Sequence, residues 1–170
     1  MFVELLINKN RFNIKQVYFM DDVFTSSVEW LEEFIEKYKS KINLPFYCYV
    51  HPLAVNRKIA SLLKKGGCYL VGIGVQSGSE RIRKEVYKRF ESNEKIIETI
   101  SYLKENDIKI QVDHIFGAPT ETEDDLIKSI ELYRKIKKEM ILTFWLTYYP
   151  KTEIINTAKK LNILSNKDLE

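Results

Sequence analysis

The sequence places a polar group at several points where an apolar run stops. Asp21 and Asp22 follow the run V-Y-F-M (residues 17–20), and His51 follows Phe46–Val50. Gln76, Ser77 and Gly78 follow the apolar residues 69–75, and the turn G-A-P-T-E begins at Gly117 after residues 108–116. The most informative stretch is residues 71–80, V-G-I-G-V-Q-S-G-S-E. Ser77 and Glu80 have the S-x-x-E spacing of a capping box, which predicts a helix starting where the strand ends. The N–H groups of a helix's first turn have no partners inside the helix, so such an end suits a polar or anionic ligand. Gly72, Gly74 and Gly78 would let a ligand or another chain segment approach the backbone. Gln76 offers a donor and an acceptor, and Ser77 does the same on a shorter arm. Asp113 stands inside a largely apolar strand, where a carboxylate must be paired, exposed or functional. The two histidines carry less: alternation turns His114 away from the face of Asp113 and into packing, and His51, at a strand end, reads as a turn residue before Pro52 or as a group facing a substrate.

The elements that position these groups follow from periodicity. Residues 17–20, 46–50, 69–75, 108–116 and 141–148 read as strands. Between them run amphipathic helices: one with Val28, Leu31, Ile35 and Tyr38 on its apolar face, capped by Ser26 with Glu29, and one with Ile59, Leu62 and Leu63 that stops at Gly66-Gly67. A short helix after Gly78 is followed by residues 93–105, with Ile96, Ile97, Ile100 and Leu103 on one side. Thr122 with Asp125 caps a helix carrying Leu126, Ile130, Tyr133 and Ile136. Residues 2–9 resemble the tail of a helix, 152–161 a final helix and 165–170 a frayed tail. The order (α)-β-α-β-α-β-α-β-α-β-α implies right-handed crossovers and a parallel sheet. A doubly wound open sheet and a curved (β/α) barrel, whole or partial, both fit. In either, ligands gather at the C-terminal ends of the strands, where the polar residues named above fall.

Composition narrows the classes. The chain has 170 residues, 45% of them hydrophobic, enough for one substantial core. Its 27 basic and 24 acidic residues are too balanced to argue for nucleic acid or an anionic membrane. No run spans a bilayer and no signal peptide is evident, so a cytoplasmic location is expected. Cys48 and Cys68, the only cysteines, suggest neither a disulfide framework nor a metal motif.

Four ordered segments, F-M-D-D-V-F-T from Phe19, G-V-Q-S-G-S-E-R-I from Gly74, D-H-I-F-G-A-P-T-E-T from Asp113 and Y-Y-P-K-T from Tyr148, resemble segments of radical S-adenosylmethionine (SAM) enzymes. The similarity covers about residues 17–161 and is closest to the subgroup that often carries a cobalamin-binding domain. The resemblance implies a partial (β/α)6 barrel in which a [4Fe–4S] cluster, held by CxxxCxxC after the first strand, cleaves SAM reductively to a 5′-deoxyadenosyl radical. No CxxxCxxC is present here, and neither cysteine stands where the cluster ligands would. The elements correspond to strands two to six of the family, so residues 1–164 are expected to be a truncated core. Its first strand and cluster loop would lie upstream of Met1 or in a separate chain.

By the same resemblance Asp22, in preference to Asp21, would meet the SAM amino group, and Gln76 and Ser77 its ribose or carboxylate. Arg89 would bind the carboxylate, Asp113 the ribose hydroxyls and Ile115 the adenine. Gly117 would admit the adenine to the backbone and Tyr148 would line its pocket. The expected ligands are therefore SAM and a small-molecule or unknown substrate, with no nucleic acid and no membrane. A cluster and cobalamin are implied for the family and its subgroup, but not on residues of this chain. Two other readings stay open: a degenerate, non-catalytic barrel that binds or assembles, and an unrelated (β/α) enzyme holding a phosphate-type ligand at Gly78.

Overall fold

The computed structural model describes residues 2–164, and the expected tail at 165–170 lies outside them. Five parallel strands, β1 (Val17–Phe19), β2 (Phe46–Val50), β3 (Cys68–Gln76), β4 (Lys109–Phe116) and β5 (Met140–Trp145), lie side by side in the order of the sequence. That order settles the choice left by periodicity. A doubly wound sheet reverses direction at a switch point, and this one never does. The winding is that of a (β/α) barrel, of which these strands form an arc.

Among the described residues seven α-helices accompany the strands: α1 (Phe2–Phe12), α2 (Val28–Lys41), α3 (Arg57–Gly66), α4 (Glu80–Glu85), α5 (Asn93–Glu105), α6 (Glu123–Lys135) and α7 (Glu153–Lys160). One hydrophobic cluster joins the helices to alternate strand residues: Val17 and Phe19, Phe46, Cys48 and Val50, Val71, Ile73 and Val75, Ile110 and Val112. The intervening residues, among them Tyr18, Tyr47, Tyr49, Gly72, Gly74, Gln111 and Asp113, face the other way, onto the concave side of the arc. Gly72 shapes that side. A methyl group there would lie 2.2 Å from the Tyr47 hydroxyl and 2.5 Å from the Tyr49 ring, so its absence lets the two tyrosines lie across β3.

The helix ends follow local chemistry, with some shifts from expectation. Asn56, Ser92 and Thr122 cap α3, α5 and α6, and Thr122 with Asp125 forms the expected capping box. Gly67, at φ 95°, closes α3 in the left-handed region. The cap of α2 is Ser27 rather than Ser26: its Oγ accepts from the Trp30 N–H at 3.2 Å. The buried stripe of α6 runs through Asp125, Ser129, Leu132, Tyr133 and Ile136, while Ile130 is 55% exposed. Polar Asp125 and Ser129 sit inside because they bond to the turn after β3 and the start of α4, a demand that hydrophobic periodicity does not register.

Both ends of the arc are open among the described residues. β1 pairs only with β2, leaving Tyr18 and Met20 exposed, and no residue of β5 is fully buried.

Candidate functional site

At the C-terminal edge of the sheet a cavity of about 510 Å³ opens on the concave side. Its wall includes Met20, Asp22 and Val23 after β1, Tyr49, Val50 and His51 at the end of β2, Gly74 and Gln76 on β3, Arg89 after α4, and Asp113 on β4. Four residues singled out in the sequence therefore meet here: Asp22, Gln76, Arg89 and Asp113. Asp21, the disfavoured neighbour of Asp22, is not in the wall.

β4 is paired Gly74 to Asp113 and then Gln76 to His114, so the register slips by one beside the cavity. Gln76 absorbs the slip at φ 67°, a region seldom used by residues other than glycine. Its amide packs over Gly74, where a methyl group would lie 2.5 Å from Gln76 Nε2. Gln76 Oε1 is buried and has no hydrogen-bond partner. A strained backbone and an orphaned acceptor at one residue are the marks of a site shaped for a ligand.

Asp113 is half-buried. Gln111 Nε2 donates to its Oδ1 at 3.0 Å and to the Tyr47 hydroxyl at 3.2 Å, which fixes the carboxylate from below. Burial pushes the Asp113 pKa up, and the Gln111 bond only partly offsets this. A half-desolvated carboxylate with one free oxygen can accept from hydroxyl groups or pair with a cation.

Arg89 is held by Glu91, whose carboxylate accepts from Arg89 Nε at 2.7 Å. The loop carrying both is tied down by Arg83, a fully buried arginine on α4. Its guanidinium donates to the Ser77 carbonyl at 2.5 Å, the Glu91 carbonyl at 3.1 Å and Asn93 Oδ1 at 2.8 Å. Sequence reasoning missed Arg83 and Glu91; it placed His51 among the strand-end polar residues, and His51 does stand in the wall. Arg83 and Glu91 look like ordinary charges on a polar helix and loop, and no periodicity in the sequence marks either as buried.

The other expected residues lie elsewhere. Ser77 is fully buried on the helix side, with its Oγ 3.5 Å from Ser129 Oγ, so its side chain does not reach the cavity. Nor does it cap α4, as its spacing from Glu80 suggested. Ser79 does that, while Glu80 accepts from the Asn93 N–H at 2.6 Å. The donors near Gly78 are also taken. Gly78 N–H bonds to Ser129 Oγ at 2.8 Å, and a methyl group on Gly78 would lie 2.3 Å from Ser129 Cα. Asp125 completes the closure: it accepts from Ser79 Oγ and pairs with Arg81, both at 2.5 Å. Burial alone would raise its pKa, but the bonds from Ser79, Thr122 and Arg81 hold the carboxyl far below the usual range. Helix α6 thus occupies the place where a phosphate-type ligand at Gly78 was envisaged, and that reading falls. Ile115, Gly117 and Tyr148 are outside the cavity wall. Ile115 receives the Tyr87 hydroxyl on its carbonyl at 3.3 Å, and Gly117, at φ 81°, donates to Glu121 at 2.9 Å. Tyr148 is half-buried beyond the rim.

The family model described as the radical SAM superfamily matches residues 2–133. The chain belongs to the radical SAM superfamily. Among curated proteins, this superfamily member is 25% identical over 162 residues to an uncharacterised methyltransferase, PH0819, of Pyrococcus horikoshii, covering 95% of the chain and 35% of that protein. It is 28% identical over 110 residues to the tRNA-2-methylthio-N(6)-dimethylallyladenosine synthase of Bacillus subtilis, covering 61% and 21%. Among solved structures it resembles the radical SAM methyltransferase TsrM of Kitasatospora setae, solved with cobalamin and a [4Fe-4S] cluster (TM-score 0.78, 20% identity, 93% of this chain and 33% of that one). Coproporphyrinogen III oxidase of Escherichia coli follows at TM-score 0.73 and 14% identity, over 99% and 41%. The chain thus spans well under half the length of each of these four proteins. The arc of five parallel strands is the fold these radical SAM structures share.

Proposed function

We propose that the cavity binds S-adenosylmethionine and that the chain is the SAM-binding portion of a radical SAM enzyme. The observation that carries this is the convergence of Asp22, Gln76, Arg89 and Asp113 from four separate segments on one wall, at the strand ends. The cavity's chemistry suits the ligand. SAM has hydroxyls for an acceptor, an ammonium for a carboxylate, a carboxylate for a guanidinium and adenine edges for an amide. Asp113 would take ribose hydroxyls, Asp22 the ammonium, Arg89 the carboxylate, and Gln76, with its orphaned acceptor, a polar edge. Ile115, Gly117 and Tyr148 would serve an adenine only where it extends past the present wall. When bound, SAM supplies an activated sulfonium, from which a carbon group can be transferred with the thioether as leaving group or a bond to carbon reductively broken. The chain's own residues bind and orient it.

The described residues do not fit a [4Fe–4S] cluster. A cluster is held by thiolates, and Cys48 and Cys68 are buried on the helix side of the sheet, away from the cavity. Among the described residues no group of three or more cysteines, histidines and acids could hold a metal. A complete enzyme would draw cluster ligands, and cobalamin if its chemistry uses it, from another segment or chain. The same observation supports a second reading, a non-catalytic barrel that binds SAM or assembles with a partner. No helix among the described residues is long and apolar enough to cross a membrane.

A thermal-shift comparison tests the ligand class. SAM is expected to raise the melting midpoint, while ADP and inorganic phosphate leave it unchanged. A rise with phosphate ligands and none with SAM would overturn the proposal.

A further inference from the structure

Glu91 is a carboxylate with no exposed side-chain surface and an incomplete set of partners. One oxygen accepts from Arg89 Nε at 2.7 Å. The other has no hydrogen-bond partner, and His51 Nε2 stands 3.8 Å from it. A buried carboxylate is costly unless paired, so both oxygens need donors. The His51 ring is set to supply one. Its Nδ1 accepts from the Leu53 N–H at 3.2 Å, so the neutral ring carries its proton on Nε2, the atom facing Glu91. Burial, and then Arg89, keep the ring neutral to a lower pH than usual, with Glu91 opposing. The other charges on this wall are Asp22 after β1 and Asp113 on β4. Lys95 of α5 is engaged by Glu98 at 2.7 Å and the Val55 carbonyl at 3.5 Å.

Among the described residues Arg89 is therefore the one permanent cation in the wall. Bound through Nε, it keeps its two terminal nitrogens, one of them 3.9 Å from the site of a methyl group on Gly74, without a side-chain partner among the described residues. That is the fork a carboxylate takes bidentately. Asp22 and Asp113 would repel a carboxylate everywhere else in the cavity. We infer that Glu91 is the positioning residue of a carboxylate subsite, fixing the Arg89 fork toward the cavity and taking the His51 Nε2–H with its second oxygen. Holding the guanidinium in one rotamer removes an ordering cost from binding. The inference rests on the SAM reading, which already sets the ligand's carboxylate against Arg89, and adds Glu91 as the residue that holds Arg89 there.

Calorimetric titrations with SAM and with 5′-methylthioadenosine, which lacks the amino-acid end, test it. Glu91→Leu should weaken SAM at least tenfold and change 5′-methylthioadenosine less than twofold. Glu91→Gln, which keeps an acceptor for Nε, should recover most of the loss. Should Glu91→Leu not fold, Arg89→Met gives the same contrast between the two ligands. Equal weakening of both compounds, no weakening of SAM, or no recovery in Glu91→Gln would overturn the positioning role. If the wild type binds both compounds equally, the nucleoside site stands and the carboxylate subsite alone is wrong. If it binds neither, the SAM reading fails and takes the subsite with it.

Discussion

Asp113 shows what a single residue discloses and what it hides. A carboxylate in an apolar strand is conspicuous in the sequence, and its half-buried place in the cavity follows. The hold of Tyr47, two strands away, on its neighbour Gln111 does not, because it depends on register. Ser77 teaches the reverse lesson: a hydroxyl beside a glycine-rich turn looked like a ligand group and turned out to bond Ser129 fifty-two residues away. The raised pKa of Asp113 gives a prediction at this scale. The folded protein holds the Asp113 proton to a higher pH than the unfolded chain, so this group's contribution to stability is present at low pH and is lost as pH rises through the folded pKa. Ligand hydroxyls need the ionised form. Affinity for SAM should therefore fall as pH is lowered through a point above the ordinary aspartate pKa, measured by titration at a series of pH values. A profile flat down to that ordinary value would remove Asp113 from the site.

At the scale of elements, strand and helix positions were legible nearly throughout. β2 and α5 occupy the expected residues, and His114 packs against Tyr133 as alternation required, its Nδ1 2.7 Å from the hydroxyl. What pattern could not reveal was the polar seam between the end of β3, α4 and α6, built from Ser77, Ser79, Asp125 and Ser129. Nor could it reveal the loop after α4, fastened by Arg83. Periodicity counts apolar residues, and these contacts are made by polar ones. Arg83→Met should leave the Ser77 and Glu91 carbonyls and the Asn93 amide oxygen unpartnered, at a cost of about 2–4 kcal/mol in chemical denaturation. Amide exchange should rise most in residues 86–92. Uniformly faster exchange, with no excess in the loop, would mean that Arg83 does not hold it.

For the whole molecule, the alternation of elements could not separate an open sheet from a barrel arc. Strand order did, because it records how each crossover winds. The acid response is also a property of the whole fold. His114 is buried against Tyr133, and burial lowers its pKa to about 4, so it stays neutral while an unfolded histidine protonates near 6.5. Its share of stability is present above that ordinary pKa and drains away as pH falls from about 6.5 to about 4, by up to about 3 kcal/mol. His51 acts in the same direction. Below that window Asp125 takes over. His114→Phe should flatten the slope of unfolding free energy against pH between 6.5 and 4, leaving the part due to His51. An unchanged slope would mean that His114 is not held neutral.

The central claim is that four segments converge to bind S-adenosylmethionine in one cavity. Calorimetric titration of the chain with SAM, beside an Asp113→Ala variant of equal secondary structure, tests it most directly. The account predicts saturable binding at one site, weakened at least tenfold in the variant. Absence of binding by the folded chain, or equal affinity in the two proteins, would contradict it.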